Sequence, residues 1–197
     1  MAISGRYNDE LPKLTPTGWT VLGFLSICPR NGYQVHQAVQ RSVGHFWGVS
    51  YGQLYPQLKV LQEQGFITPS DATTDGGRQT SWQLTERGAE VLDRWLRIEP
   101  APPQRRDEGM VKLMFADHAG PDAMLSLIQQ RRTEAGRRRD LAEAVIPDPH
   151  GPDQASRGPN AVLATSLVRA HTLALANAEL VWCDQAETML AEQGQMS

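Results

Sequence analysis

Caps and breakers punctuate the first 97 residues so regularly that few folds accommodate them. Thr15 followed by Pro16 is an N-cap with proline at the first helical position, and Trp19, Leu22 and Phe24/Leu25 then recur at helical spacing until Cys28-Pro29 ends the run. Asn31-Gly32 opens a second helix that turns Val35, Ala38 and Val39 inward and closes at Gly44. Ser50 caps a third, with Leu54, Leu58 and Leu61 at i, i+4 and i+7 and Gly65 at its end. Pro56, six positions past that cap, removes one backbone bond and predicts a kink or a delayed start. Phe66–Thr68 and Gln79–Leu84 read as strands joined through Asp75-Gly76-Gly77, which tolerates the positive φ of a hairpin turn. Along the second strand Thr80, Trp82 and Leu84 share one side, and Gln79, Ser81 and Gln83 the other. Thr85 caps a fourth helix whose Val91, Leu92, Trp95 and Leu96 form one apolar face. Three helices, a hairpin and a further helix describe a winged helix-turn-helix over residues 14–98.

The second half reads differently. Pro-rich segments at 99–103 and 147–159 break helices, so the expected order is a tail (1–13), the winged domain (14–98), a linker (99–106) and a helical domain (107–194) containing a Pro/Gly-rich loop at 147–159. From Pro121, the spacing of Met124, Leu125, Ile128, Ala135, Ala142 and Val145 favours one long helix. Residues 161–191 are apolar around most of a helical circumference and rich in alanine, with Leu163, Leu167, Ala174, Ala178, Val181 and Trp182 among them. A helix of that kind must be covered. Small residues permit close approach, so the expected cover is a second copy of the chain in an intertwined, antiparallel dimerisation interface; burial within one chain is the alternative. The fold class is therefore mainly α, a winged helix-turn-helix followed by an α-helical dimerisation domain. Arg131, Arg132, Arg137, Arg138 and Arg139 read as a solvated helical face in preference to a second nucleic-acid contact.

Nineteen Lys and Arg against 22 Asp and Glu give a net charge of −3, so no global cationic field draws polyanions to the chain. The local balance is the reverse: no carboxylate lies between Glu10 and Glu63, while Lys13, Arg30, Arg41 and Lys59 do, a modest basic surface. No apolar run approaches the roughly 20 residues that cross a bilayer, and no leader precedes the first helix, so no membrane partner and a cytoplasmic location are expected. Cys28 and Cys183 read as reduced thiols. His36, His45, His118, His150 and His171 stand singly without metal-ligand spacing, and neither a phosphate-binding glycine loop nor a Gly-x-Ser-x-Gly elbow is present, so no metal, no cofactor and no enzymatic activity are expected.

Asn31-Gly32-Tyr33, the string Phe46-Trp47-Gly48-Val49-Ser50-Tyr51-Gly52-Gln53-Leu54-Tyr55-Pro56-Gln57-Leu58, Leu61 to Ile67, Gly77-Arg78 and Leu84-Thr85-Glu86-Arg87-Gly88 resemble the PadR family of bacterial transcriptional regulators. The resemblance covers residues 14–97, and the family tolerates Pro56 within the third helix. More loosely, Arg106-Asp107-Glu108, Lys112-Leu113, Phe115 and Ala178–Trp182 resemble the C-terminal domain of its longer subfamily.

In such a fold the third helix enters the major groove of double-stranded DNA and the wing reaches the adjacent backbone. The residues expected to touch DNA are Tyr33, Ser50, Tyr51, Gln53, Tyr55, Lys59 and Arg78. Each has a plainer reading: Tyr55 and Tyr33 as packing, Ser50 as a cap alone, Gln53 as a solvated amide. Asp71 and Asp75 near Arg78 weaken the wing as a contact. With few cations one chain binds weakly, so a homodimer on two half-sites is expected. The resemblance implies repression and, in some members, release by a small planar aromatic effector near the dimer interface; Trp95 and Trp182 are the candidate stacking surfaces, with core packing as the alternative. The competing function is a winged-helix protein-interaction module, which the salt dependence of DNA binding separates from a DNA reader.

Overall fold

Each helix of the N-terminal half begins on a side-chain cap. The computed structural model describes residues 11–44, 46–70, 80–102, 106–144 and 159–195, and the chain divides into two compact units that part between Ala101 and Pro102. In the first, α1 (Pro16–Leu25) starts at Thr15, α2 (Gly32–Ser42) at Asn31, α3 (Tyr51–Glu63) at Ser50 and α4 (Glu86–Leu96) at Thr85. The caps of α2 and α3 are reciprocal: Asn31 and Ser50 accept from the amides of Gln34 and Gln53, whose side-chain carbonyls accept from the cap amides in return. Helix α3 runs unbroken through Pro56, whose position costs only the bond that the Gly52 carbonyl would have accepted.

Leu54, Leu58 and Leu61 all point inward, meeting Trp19, Leu22 and Leu25 of α1, Val35 and Val39 of α2, and Val91 and Leu92 of α4 in one core closed by Phe66 and Ile67. Strand β1 (Ile67–Pro69) pairs antiparallel with β2 (Trp82–Leu84), Ile67 opposite Leu84. The opposite edge of β2 is also occupied, because Trp82 exchanges backbone bonds of 2.8 and 3.0 Å with Arg30, in the α1–α2 connection. The sequence gives no sign of this third participant. The expected alternation holds across Trp82, Gln83 and Leu84 but fails at Ser81, which is buried: it precedes the ladder, and its carbonyl accepts from the Ser70 amide at 2.8 Å. Gln79 and the Asp75-Gly76-Gly77 turn lie outside the described residues.

Where α3 gives way to β1, α4 rests directly on the backbone. The Thr85 amide donates to the Phe66 carbonyl at 3.0 Å, and its hydroxyl is shared between the carbonyls of Gly65 at 2.8 Å and Phe66 at 3.1 Å. A Cβ on Gly88 would lie 2.1 Å from that same oxygen, so only glycine fits this approach.

The second unit holds α5 (Glu108–Met114), a 3-10 turn (Ala116–Ala119), α6 (Pro121–Glu143) and α7 (Pro159–Gln195). Helices α6 and α7 pack on each other, burying Ile128 and Ala135 together with Thr172, Ala176 and Cys183. The Cys183 thiol donates to the Ile128 carbonyl at 3.8 Å, and burial pushes its pKa up. Helix α7 starts at Pro159, two residues before the expected 161, because proline is at ease in a first turn. Val145 and most of the Pro/Gly-rich loop lie outside the described residues, as do 103–105 of the linker.

The arginine run departs from the solvated face expected of it. Arg131 reaches Asp107, the α5 cap, at 2.7 Å, pairs with Glu179 of α7 and lies over the Trp182 ring at 5.7 Å. Arg132 pairs with Asp184 and Glu187. Their partners are up to 55 positions away, a distance no helical-face pattern encodes. Arg137, Arg138 and Arg139 pair locally, with Glu134 and Asp140.

Candidate nucleic-acid interface

Because the leucines of α3 take the inward positions, the face that carries Tyr51, Gln53, Tyr55 and Lys59 is turned to solvent. Tyr51 is 42% exposed, Tyr55 47%, and Tyr33 on the neighbouring α2 45%. Close packing of α2 on α3 makes these phenols one surface: a Cβ on Gly32 would meet the Tyr55 ring at 2.8 Å, so the ring edge sits against bare α2 backbone. Tyr55 therefore both packs and presents its hydroxyl.

The aromatic surface extends across the helix pair. Tyr51 stacks on His36 of α2, ring centroids 3.8 Å apart and planes 18° from parallel, and lies 6.2 Å from Tyr55. The Tyr33 hydroxyl accepts a 2.5 Å bond from the Gln37 amide. Desolvation, reinforced by the neighbouring Tyr33 and Tyr55, raises the Tyr51 pKa, so its hydroxyl stays a neutral donor. Phenolic O–H and amide N–H groups are what phosphate oxygens and base-edge acceptors require. His36 and Gln37 were not among the expected contacts; the one sequence signal for them is helical spacing, three and four positions after Tyr33.

Ser50 and Gln53 are engaged with each other. Besides the reciprocal backbone bonds, the Ser50 hydroxyl donates to Gln53 Oε1 at 3.1 Å. Gln53 thus spends its carbonyl on the cap and turns only its NH2 group outward as a donor. Lys59 lies at 3.8 Å from Glu63, both well exposed, a contact worth well under 1 kcal/mol. The basic surface expected from this stretch is smaller than four cations: Arg30 is buried, while Lys13, Arg41 and Lys59 are exposed. Arg78 lies outside the described residues.

The residues singled out for dimerisation occupy two kinds of position. Leu163, Leu167 and Val181 are each more than half exposed, and Ala174, Ala178 and Leu125 are exposed with them. Met124 and Trp182 are half-buried, and Ile128 is already covered within its own chain. The two candidate stacking tryptophans belong to different units. Trp182 lies under Arg131. Trp95 stacks on Trp19 at 5.2 Å with planes 5° apart, and both line an apolar groove of about 350 Å³ with Phe24, Ile27, Val43 and Trp47. Among the described residues no group of three or more His, Cys, Asp or Glu is placed to hold a metal, and no helix is long and apolar enough to cross a membrane.

Comparison with known proteins gives a coherent picture. The model of the PadR-like family of transcriptional regulators matches residues 21–94, and that of the virulence activator alpha C-terminal domain matches residues 105–191. The negative transcriptional regulator PadR of Bacillus subtilis is 34% identical over 100 residues, which span 49% of this chain and 54% of that protein. A probable transcriptional regulator of Mycobacterium tuberculosis is 24% identical over 187 residues, 86% of this chain and 95% of the relative. Among solved structures, B. subtilis PadR in complex with operator DNA superposes with a TM-score of 0.70 at 23% identity, covering 88% of this chain and 98% of that one. The same protein in complex with p-coumaric acid gives 0.67, with the same identity and coverage. At this identity the likeness speaks for the fold.

Proposed function

Since the chain belongs to the PadR-like family, a family of transcriptional regulators and not of enzymes, we propose that it is a cytoplasmic repressor that binds double-stranded DNA as a homodimer. The observation that carries this reading is the surface of Tyr33, Tyr51 and Tyr55: three exposed phenols on the α2–α3 pair, in a stretch with no carboxylate from residue 11 to 62. Helix α3 inserts into the major groove, Gln53 presents its NH2 to a base edge, and Tyr33, Tyr55 and Lys59 engage phosphates, with Arg78 of the wing as an outlying contact.

The three exposed cations between residues 11 and 62 do not hold an operator alone. The second copy is held through α7, whose exposed Leu163, Leu167, Ala174, Ala178 and Val181 form an apolar stripe that a solvated helix would not retain. Repression follows the B. subtilis relative, a negative regulator. That p-coumaric acid is bound by B. subtilis PadR supports a small planar aromatic effector here as well, and the Trp19–Trp95 groove offers the stacking surface.

The test is selection of sheared genomic DNA on the full chain, followed by footprinting of the recovered fragments. A repressor of this design protects two half-sites about one helical turn, roughly 34 Å, apart. Recovery of no fragment above background would refute DNA reading and leave the winged domain as a protein-docking module.

A further inference from the structure

We infer that His36 is a proton-controlled phosphate contact of the DNA-reading surface, and that its ring also positions Tyr51. This rests on the proposed function and adds a residue and a regulation to it. Histidine is the side chain whose charge ordinarily changes between pH 5 and 8. Here it stacks face to face on Tyr51, 3.8 Å between centroids, at the centre of the exposed phenols. Neither of its ring nitrogens has a hydrogen-bond partner among the described residues, and once protonated both can donate to an incoming acceptor.

Among the described residues, the surroundings offer a proton on His36 no anion of the chain's own. Helix α1, which packs against α2, carries no titratable side chain, and neither does the 46–50 turn. Helix α2 itself adds Tyr33 and Arg41, and α3 adds Tyr51, Tyr55, Lys59 and Glu63. Glu63 is the one carboxylate in that set. It pairs with Lys59 and lies twelve residues along α3 from Tyr51, about 18 Å at 1.5 Å per residue. The Tyr51 ring lies face to face with the imidazole, and the anion that an imidazolium at position 36 would meet is a DNA phosphate. Because Arg30 is buried and Lys59 is shared with Glu63, one added cation per chain is a large change for this surface.

The experiment measures affinity for a duplex recovered by the genomic selection, by fluorescence anisotropy across a salt series, at about pH 8 and about pH 6. The full chain is compared with His36→Phe, which keeps the stack and loses the charge, and with His36→Ala, which loses both. Wild type is expected to bind on the order of tenfold tighter at the lower pH. Its dependence of log K on log salt should steepen by about 0.9 for each chain bound. His36→Phe should show neither change, while His36→Ala should bind more weakly than His36→Phe at both pH values. All three proteins carry the same other histidines, so the difference between wild type and His36→Phe isolates position 36. Binding by wild type without pH dependence, or pH dependence retained in His36→Phe, overturns the inference and leaves DNA reading standing. Loss of binding in His36→Phe at the higher pH would make the ring structural and overturn it as well. Failure of wild type to bind at either pH would overturn the proposed function and this inference together.

Discussion

Replacing Gly88 by alanine tests the joint between the wing and α4 at a point where the structure gives no room for relief. The new Cβ would sit 2.1 Å from the Phe66 carbonyl oxygen, with Leu84 Cδ1 at 3.0 Å. A backbone oxygen has no rotamer to change, so the start of α4 must retreat by about 1 Å to restore an ordinary contact. That retreat pulls the Thr85 amide away from the same oxygen, from a bond of 3.0 Å, and its hydroxyl away from the Gly65 and Phe66 oxygens it shares, at 2.8 and 3.1 Å. Two weakened bonds at about 1 kcal/mol each and overpacking strain of about 1–3 kcal/mol oppose a helical gain for alanine of up to about 1 kcal/mol. The net is a destabilisation of about 2–4 kcal/mol. In a domain of this size that lowers the melting temperature by about 10–20 °C, measured by circular dichroism at matched protein concentration. Gly23→Ala in α1 is the control: nothing lies within 4 Å of its Cβ, so it should be neutral or stabilise by up to about 1 kcal/mol. A Gly88→Ala protein that melts within a degree or two of wild type would refute the reasoning.

Glu63→Gln removes the one acidic partner of Lys59 on α3 and should tighten DNA binding about two- to threefold at low salt, read by anisotropy. Asp107 is held down to about 2, chiefly by its bonds to Arg131 and then by the Met110 amide it caps, against an ordinary value of 3.8. A carboxyl depressed in the folded state stabilises above its unfolded pKa and loses that contribution as pH falls through its folded value. Asp107→Asn should thus cost about 1 kcal/mol at neutral pH, less than the full shift implies because the carboxylate is 41% exposed, and urea titrations should show the gap closing between about pH 4 and 2. Ile128→Ala empties a site sealed between α6 and α7 and should destabilise the second unit by about 2–4 kcal/mol in the same titrations.

Local chemistry was legible in the chain and long-range pairing was not. Thr15-Pro16, Asn31, Ser50 and Thr85 announce helix starts because a cap depends on its own next three residues, and all four caps are present. The leucine triad of α3 points inward because its spacing leaves one face apolar. Ser50 and Gln53 are equally local: a serine followed three positions later by glutamine is the reciprocal cap they form. The Arg30–Trp82 bridge spans 52 positions and the Arg131–Glu179 pair 48, and no periodicity encodes either. Arg30, counted among the surface cations, is buried beside that bridge, so charge per residue overstated the basic surface. A histidine without metal-ligand neighbours carries no motif, so the role of His36 is visible only once α2 and α3 are packed and the rings stack.

DNA reading by this chain rests on the phenols of α2 and α3. The most direct measurement is anisotropy of the full chain on the duplex upstream of its own gene and on the selected fragments, at low and moderate salt, with Tyr55→Phe and Lys59→Ala alongside. Tyr55→Phe keeps the ring against Gly32 and removes only the hydroxyl, so folding is preserved while the contact is lost. The account predicts steeply salt-dependent binding by wild type, a loss of about tenfold in Tyr55→Phe, and a shallower salt slope in Lys59→Ala. Tight binding that neither variant alters would contradict it.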